Sequence, residues 1–104
     1  MGKVKEESEY LVKLHKPIQG ADGEEIRQID LSGMESLNAR DMERAEKFAV
    51  AEGGIVTVPE LNTTYLLSLA ASAIGQPLDV LEELGIQDAT AVKRAVQSFL
   101  NGAG

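Results

Sequence analysis

The chain contains no cysteine, which excludes disulfides and thiolate metal sites and fits a cytosolic origin. Basic residues are scarce: ten Lys and Arg stand against seventeen Asp and Glu, a formal charge of −7. A nucleic-acid binder needs cations to displace counterions from phosphates, so this balance argues against one. The acidity is spread along the whole chain and leaves no basic segment. The opening residues Met1-Gly2-Lys3-Val4-Lys5-Glu6 lack the apolar core of a secretory leader, and Glu6 stands where a myristoylation signal wants Ser or Thr. Histidine occurs once, as His15. Nothing near it in sequence supplies the carboxylate and nucleophile that a catalytic histidine needs, so it reads as a solvated residue at a strand end.

Motifs of enzymatic chemistry are missing too. There is no Gly-x-x-x-x-Gly-Lys-Ser/Thr phosphate loop and no Gly-x-Ser-x-Gly elbow. The carboxylate pairs Glu6-Glu7, Glu24-Glu25 and Glu82-Glu83 are adjacent residues, which diverge on a helix and on a strand alike. Asp79 and Glu83 lie one helical turn apart, but no histidine or further aspartate is near, so they read as a solvated acidic face rather than a metal site. The expectation is a protein that is not an enzyme, with no catalytic residue, no metal ligand and no cofactor.

What is present is an apolar excess. No charged residue occurs between Glu60 and Asp79, in a chain where 26% of residues are charged. The really apolar part, from Tyr65 on, is about fourteen residues, too short for a membrane span of about twenty. It reads as one helix that is apolar around most of its circumference and must be covered on most sides. A chain of 104 residues has few other elements to cover it. The mismatch points to a protein that completes its burial against a partner. Leu61, Tyr65, Leu66 and Leu69 on this helix, with Phe99 and Leu100 near the C-terminus, are the candidate partner-contact residues.

The remaining patterns set the architecture. Residues 1–8 read as a flexible N-terminus, residues 9–101 as a single domain and residues 102–104 as a frayed end. Glu9 to His15 and Glu24 to Leu31 alternate with the period of strands, and the breakers Pro17, Gly20, Asp22 and Gly23 between them predict a hairpin with its turn over 16–23. Ser32-Gly33-Met34-Glu35 offers a short helical turn. Asn38, with Asp41 three residues on, predicts a helix to about Ala51 whose apolar face is Met42, Ala45, Phe48 and Ala49. Thr57-Val58-Pro59-Glu60 has the form of a capping box, Val56 and Leu61 that of a hydrophobic staple, and the central helix should run from there to Ile74, stopped by Gly75. A short helix over 78–84 and a last one over 89–100, capped by Asp88, complete the chain. The fold class is α+β: an N-terminal β-hairpin followed by a small bundle of about four helices.

The two helices around Gly85 have the outline of a helix-turn-helix, with Thr90, Lys93, Arg94 and Gln97 on the second. In so acidic a chain simple helix packing is the better reading, and a small regulator is the rival from another class.

Taken in this order, the chain resembles a tailed-phage tail assembly chaperone. The likeness is carried by Leu14-His15-Lys16-Pro17, by Gly23 to Leu31, by the segment from Leu37 to Met42, by Val58-Pro59-Glu60-Leu61 and by the Gly75-Gln76-Pro77-Leu78 break, over about residues 10–101. The resemblance implies a non-enzymatic protein that binds the tape-measure protein while the tail is built, keeps its apolar segments soluble and helps recruit tail-tube subunits. It implies work in the cytoplasm of the bacterial host and absence from the mature virion. Self-association is left open, through an edge strand or the apolar helix. A structural tail or connector subunit retained in the particle is the nearer alternative.

Overall fold

The computed structural model describes residues 10–53 and 62–101, without the side chains of residues 52 and 53. The Thr57–Glu60 box, the Val56–Leu61 staple, the candidate Leu61, the N-terminal segment 1–8 and the end 102–104 lie outside these residues. Strand β1 (Leu11–Gln19) pairs antiparallel with β2 (Glu25–Asp30), followed by a 3-10 turn (Leu31–Ser36) and helices α1 (Ala39–Gly53), α2 (Thr63–Ile74), α3 (Leu78–Leu81) and α4 (Ile86–Leu100). This is the hairpin-then-helices α+β order that the sequence predicts.

Strand β1 runs four residues further than its alternation suggests. Lys13 pairs with Gln28, but the next pair is Ile18 with Ile26, so residues 14–17 of β1 face Arg27 alone. A bulge of this kind leaves amides without ladder partners. Pro17 has no amide to lose, and those of His15 and Lys16 find a partner on α4, described below. The bulge keeps Val12 and Ile18 both directed to the core, beside Ile29.

Asp30 opens the 3-10 turn by accepting the Ser32 N–H at 3.0 Å, and the turn buries Leu31 and Met34. Gly33 lies against the end of α2, where a Cβ would overlap the Ala73 carbonyl oxygen. Backbone cannot step aside as a side-chain tip can. Gly33→Ala is therefore expected to destabilise the chain by about 1–3 kcal/mol, read as a lower urea midpoint; an unchanged midpoint would show that the turn and α2 are not so closely apposed.

Asn38 caps α1 as predicted, accepting the Arg40 N–H at 3.0 Å and the Asp41 N–H at 3.3 Å. Asp41 returns the bond by accepting the Asn38 N–H at 2.9 Å, a reciprocal box with aspartate in the third place. The start of α2 departs from the sequence reading. Asn62 is extended, and its side chain accepts the Tyr65 N–H at 2.9 Å, so the helix begins at Thr63 rather than near Thr57. Gly75 ends it in the left-handed conformation, φ 74°, with the Gln76 N–H bonded back to the Ala71 carbonyl at 2.9 Å.

Helix α2 is the axis of the core. Every residue from Tyr65 to Ala71 is buried, beneath α1, the 3-10 turn, α3 and α4. The cover that the sequence assigned to a partner is thus supplied over this span by the chain itself. Helix α3 ends at Leu81, three residues short of its predicted end, and α4 begins at Ile86 with Gly85 before it. Val92 and Val96 seat α4 on the core.

Candidate functional site

Three of the four large apolar side chains exposed among the described residues lie on α1; the fourth, Ile86, stands alone at the start of α4. The buried residues of α1 are Ala45 and Ala49, while Met42 and Phe48 are 41% and 42% exposed and Val50 is 51% exposed. This corrects the predicted apolar face, which put Met42 and Phe48 inside. The reason is steric. A ridge of alanine lets α1 approach α2 closely, and residues three before and three after Ala45 are turned about 60° to either side of it. Met42 and Phe48 thus become two shoulders rather than a floor.

Each shoulder borders a cavity. On the Met42 side, a cavity of about 310 Å³ is lined by Met34, Leu37, Met42, Leu69, Phe99 and Leu100 among others. On the Phe48 side, one of about 460 Å³ runs between α1 and the corner joining α2 to α3.

The predicted contact residues divide accordingly. Tyr65, Leu66 and Leu69 are buried in the core, Leu69 forming the inner wall of the smaller cavity. Phe99 and Leu100 are half-buried and line its mouth. Phe99 also meets Tyr10 edge to face, with ring centroids 5.8 Å apart, fixing the start of β1 on the end of α4. The structure therefore brings Leu69, Phe99 and Leu100 together and adds Met42, which periodicity had assigned to the core.

His15 has a partner that its neighbourhood in sequence does not reveal. Asp88, expected as a helix cap, is the third residue of α4, and its carboxylate is turned inward onto the β1 bulge. It accepts the His15 N–H at 2.9 and 3.0 Å, the Lys16 N–H at 3.1 Å and a bond from the His15 ring through Nδ1 at 2.9 Å. The Asp88 side chain is 3% exposed and the His15 side chain 73% exposed. The bond from the His15 amide, then the bonds from its ring and the Lys16 amide, lower the Asp88 pKa from 3.8 to about 2. The first turn of α4 favours the same negative charge. The pair lacks an adjacent nucleophile among the partners it makes, and its geometry is that of a clasp between β1 and α4.

Lys93, one of the two basic residues of the helix-turn-helix reading, donates to Thr63 Oγ1 at 2.8 Å and so joins α4 to the start of α2. Among the described residues no group of three or more His, Asp or Glu side chains is placed to hold a metal ion. None of the described helices is long and apolar enough to cross a membrane.

The described residues define a small α+β protein, a hairpin followed by helices. The family model described as "Phage tail assembly chaperone proteins, E, or 41 or 14" matches residues 11–101. The chain belongs to that family, and phage tail assembly chaperone is its role at that level. No curated protein and no solved structure matches it.

Proposed function

We propose that the chain binds the tape-measure protein during tail morphogenesis, keeps apolar segments of it soluble, and helps bring tail-tube subunits to it. The observation that carries this reading is the pair of apolar shoulders on α1, with Met42 beside Phe99 and Leu100 on one side and Phe48 on the other. An amphipathic helix laid against either shoulder buries its apolar stripe in the cavity beside it. Acidic charge keeps the complex in solution. Of the contact residues predicted from sequence, Phe99 and Leu100 are at hand on the surface. Tyr65 and Leu66 are core residues and offer no contact, while Leu69 lines the cavity beside Met42 and becomes a direct contact where that cavity is filled.

The chaperone would act in the host cytoplasm and leave before the particle is complete. Mass spectrometry of purified virions should then find the tail-tube and tape-measure proteins without this chain; its presence in stoichiometric amount would favour a structural subunit. Met42→Glu is the sharper test of the surface. The side chain is exposed, so the variant should keep the wild-type Tm while the yield of soluble tape-measure protein falls by about tenfold, the effect of about 1.4 kcal/mol of lost apolar contact. A lost fold, or an unchanged yield, would remove Met42 from the surface.

A further inference from the structure

We infer that the cavity beside Phe48 is a docking groove for a helical client segment that carries Lys or Arg along the margin of its apolar face. This deepens the reading of the chain as a tape-measure chaperone and rests on it. The floor of the groove is largely apolar, with Phe48 from α1, Ala71 from α2 and Leu78 from α3, and it also carries Ser68 and Ser72 of α2 and Gln76. Its two rims differ in charge. Arg44 stands on the α1 rim and has a partner in Asp41, Nη1 to Oδ1 at 3.6 Å. Asp79 of α3 and Glu82, the residue that caps its C-terminal end, stand on the opposite rim, three residues apart. Among the described residues neither has a basic partner, since the three ion pairs formed involve His15, Arg27 and Arg44 with other carboxylates.

A largely apolar floor with two unpaired carboxylates along one wall is complementary to one kind of helix. Its apolar stripe fills the floor, and a cation at the edge of the stripe reaches the wall. The long stems of Lys and Arg cover the apolar rim while their heads meet the carboxylates. The overall charge of −7 attracts the same partner from a distance and repels nucleic acid and acidic peptides. The α3 wall therefore selects among the apolar segments of a long helical client, admitting those with basic margins.

The test uses the full chain and fluorescent peptides of about twenty residues, about the length of a helix that spans a small domain, tiled along the tape-measure protein of the same genome. Anisotropy is read at low and high ionic strength. The peptides bound tightest should have Lys or Arg beside an apolar stripe. Asp79→Lys with Glu82→Lys should weaken them by about tenfold or more at low ionic strength and abolish the salt dependence. The same double variant should gain affinity for a peptide whose basic residues are changed to glutamate, a rescue that a merely damaged fold would not give. Phe48→Glu should remove binding at every ionic strength. Binding to the wild type that is indifferent to the Lys substitutions overturns this inference and leaves the chaperone reading standing. Self-association that buries Phe48 and excludes the peptides overturns it as well. Failure of every peptide, together with failure to solubilise the intact client, overturns both.

Discussion

Leu66→Ala is expected to destabilise the protein by about 2–5 kcal/mol, because Leu66 is fully buried at the centre of α2 and the helices around it cannot collapse completely into the space. A domain of this size has about 5–15 kcal/mol in all, so the variant is left with little margin. In urea the midpoint should fall while the slope of the transition is kept, the mark of lost stability rather than altered compactness. A loss under about 0.5 kcal/mol, usual for a surface position, would contradict the burial of α2. The consequence for function is direct. Leu66→Glu would abolish client binding by abolishing the fold, and its effect says nothing about a contact. Only variants at exposed positions such as Met42 and Phe48 separate binding from folding.

The second large effect is expected at Asp88. Its carboxylate holds the two amides that the β1 bulge withdraws from the hairpin ladder. Asp88→Ala leaves both without their partner and opens the joint between β1 and α4. Asp88→Asn keeps the shape but turns an NH2 or a weaker acceptor toward two N–H donors. Both variants should melt well below the wild type at neutral pH. His15→Ala should fall between, since it deletes the ring bond and keeps both amide bonds.

The pH dependence has a definite sign. The folded-state pKa of Asp88 is lowered from 3.8 to about 2 by bonds from the His15 amide, the His15 ring and the Lys16 amide. The unfolded chain therefore takes up this proton first as pH falls. The stabilisation is whole above 3.8 and is lost as pH drops through about 2. Between those values wild type should lose stability more steeply than Asp88→Asn, and the two acid-unfolding curves should converge. Parallel curves across that window would show that the carboxylate is not held by the bulge.

Much of this architecture is legible in the sequence because it rests on local signals. Asn38 with Asp41, Gly75, and the alternation around Val12 and Ile29 each decide their own element. What escapes is decided by distant partners. Pro17 looks like a turn former, yet β1 passes through it, because Asp88, 72 residues from Lys16, takes over the amides of the bulge. Met42 and Phe48 fit the helical period of Ala45 and Ala49, but period alone does not reveal that two alanines bring α1 too close for larger side chains to enter the seam. The same misjudgement placed the surplus apolar surface on α2, whose contacts the chain itself completes from Tyr65 to Ala71. Phe99 and Leu100 end an amphipathic helix whose inner residues Val92 and Val96 fill the core, and both are left half-buried at its margin.

Co-expression with the tape-measure protein of the same genome, followed by size-exclusion chromatography with light scattering, tests the central claim most directly. The expected result is a client that is insoluble alone and that elutes with this chain in a soluble complex of defined mass. An insoluble client with this chain eluting by itself would contradict the account.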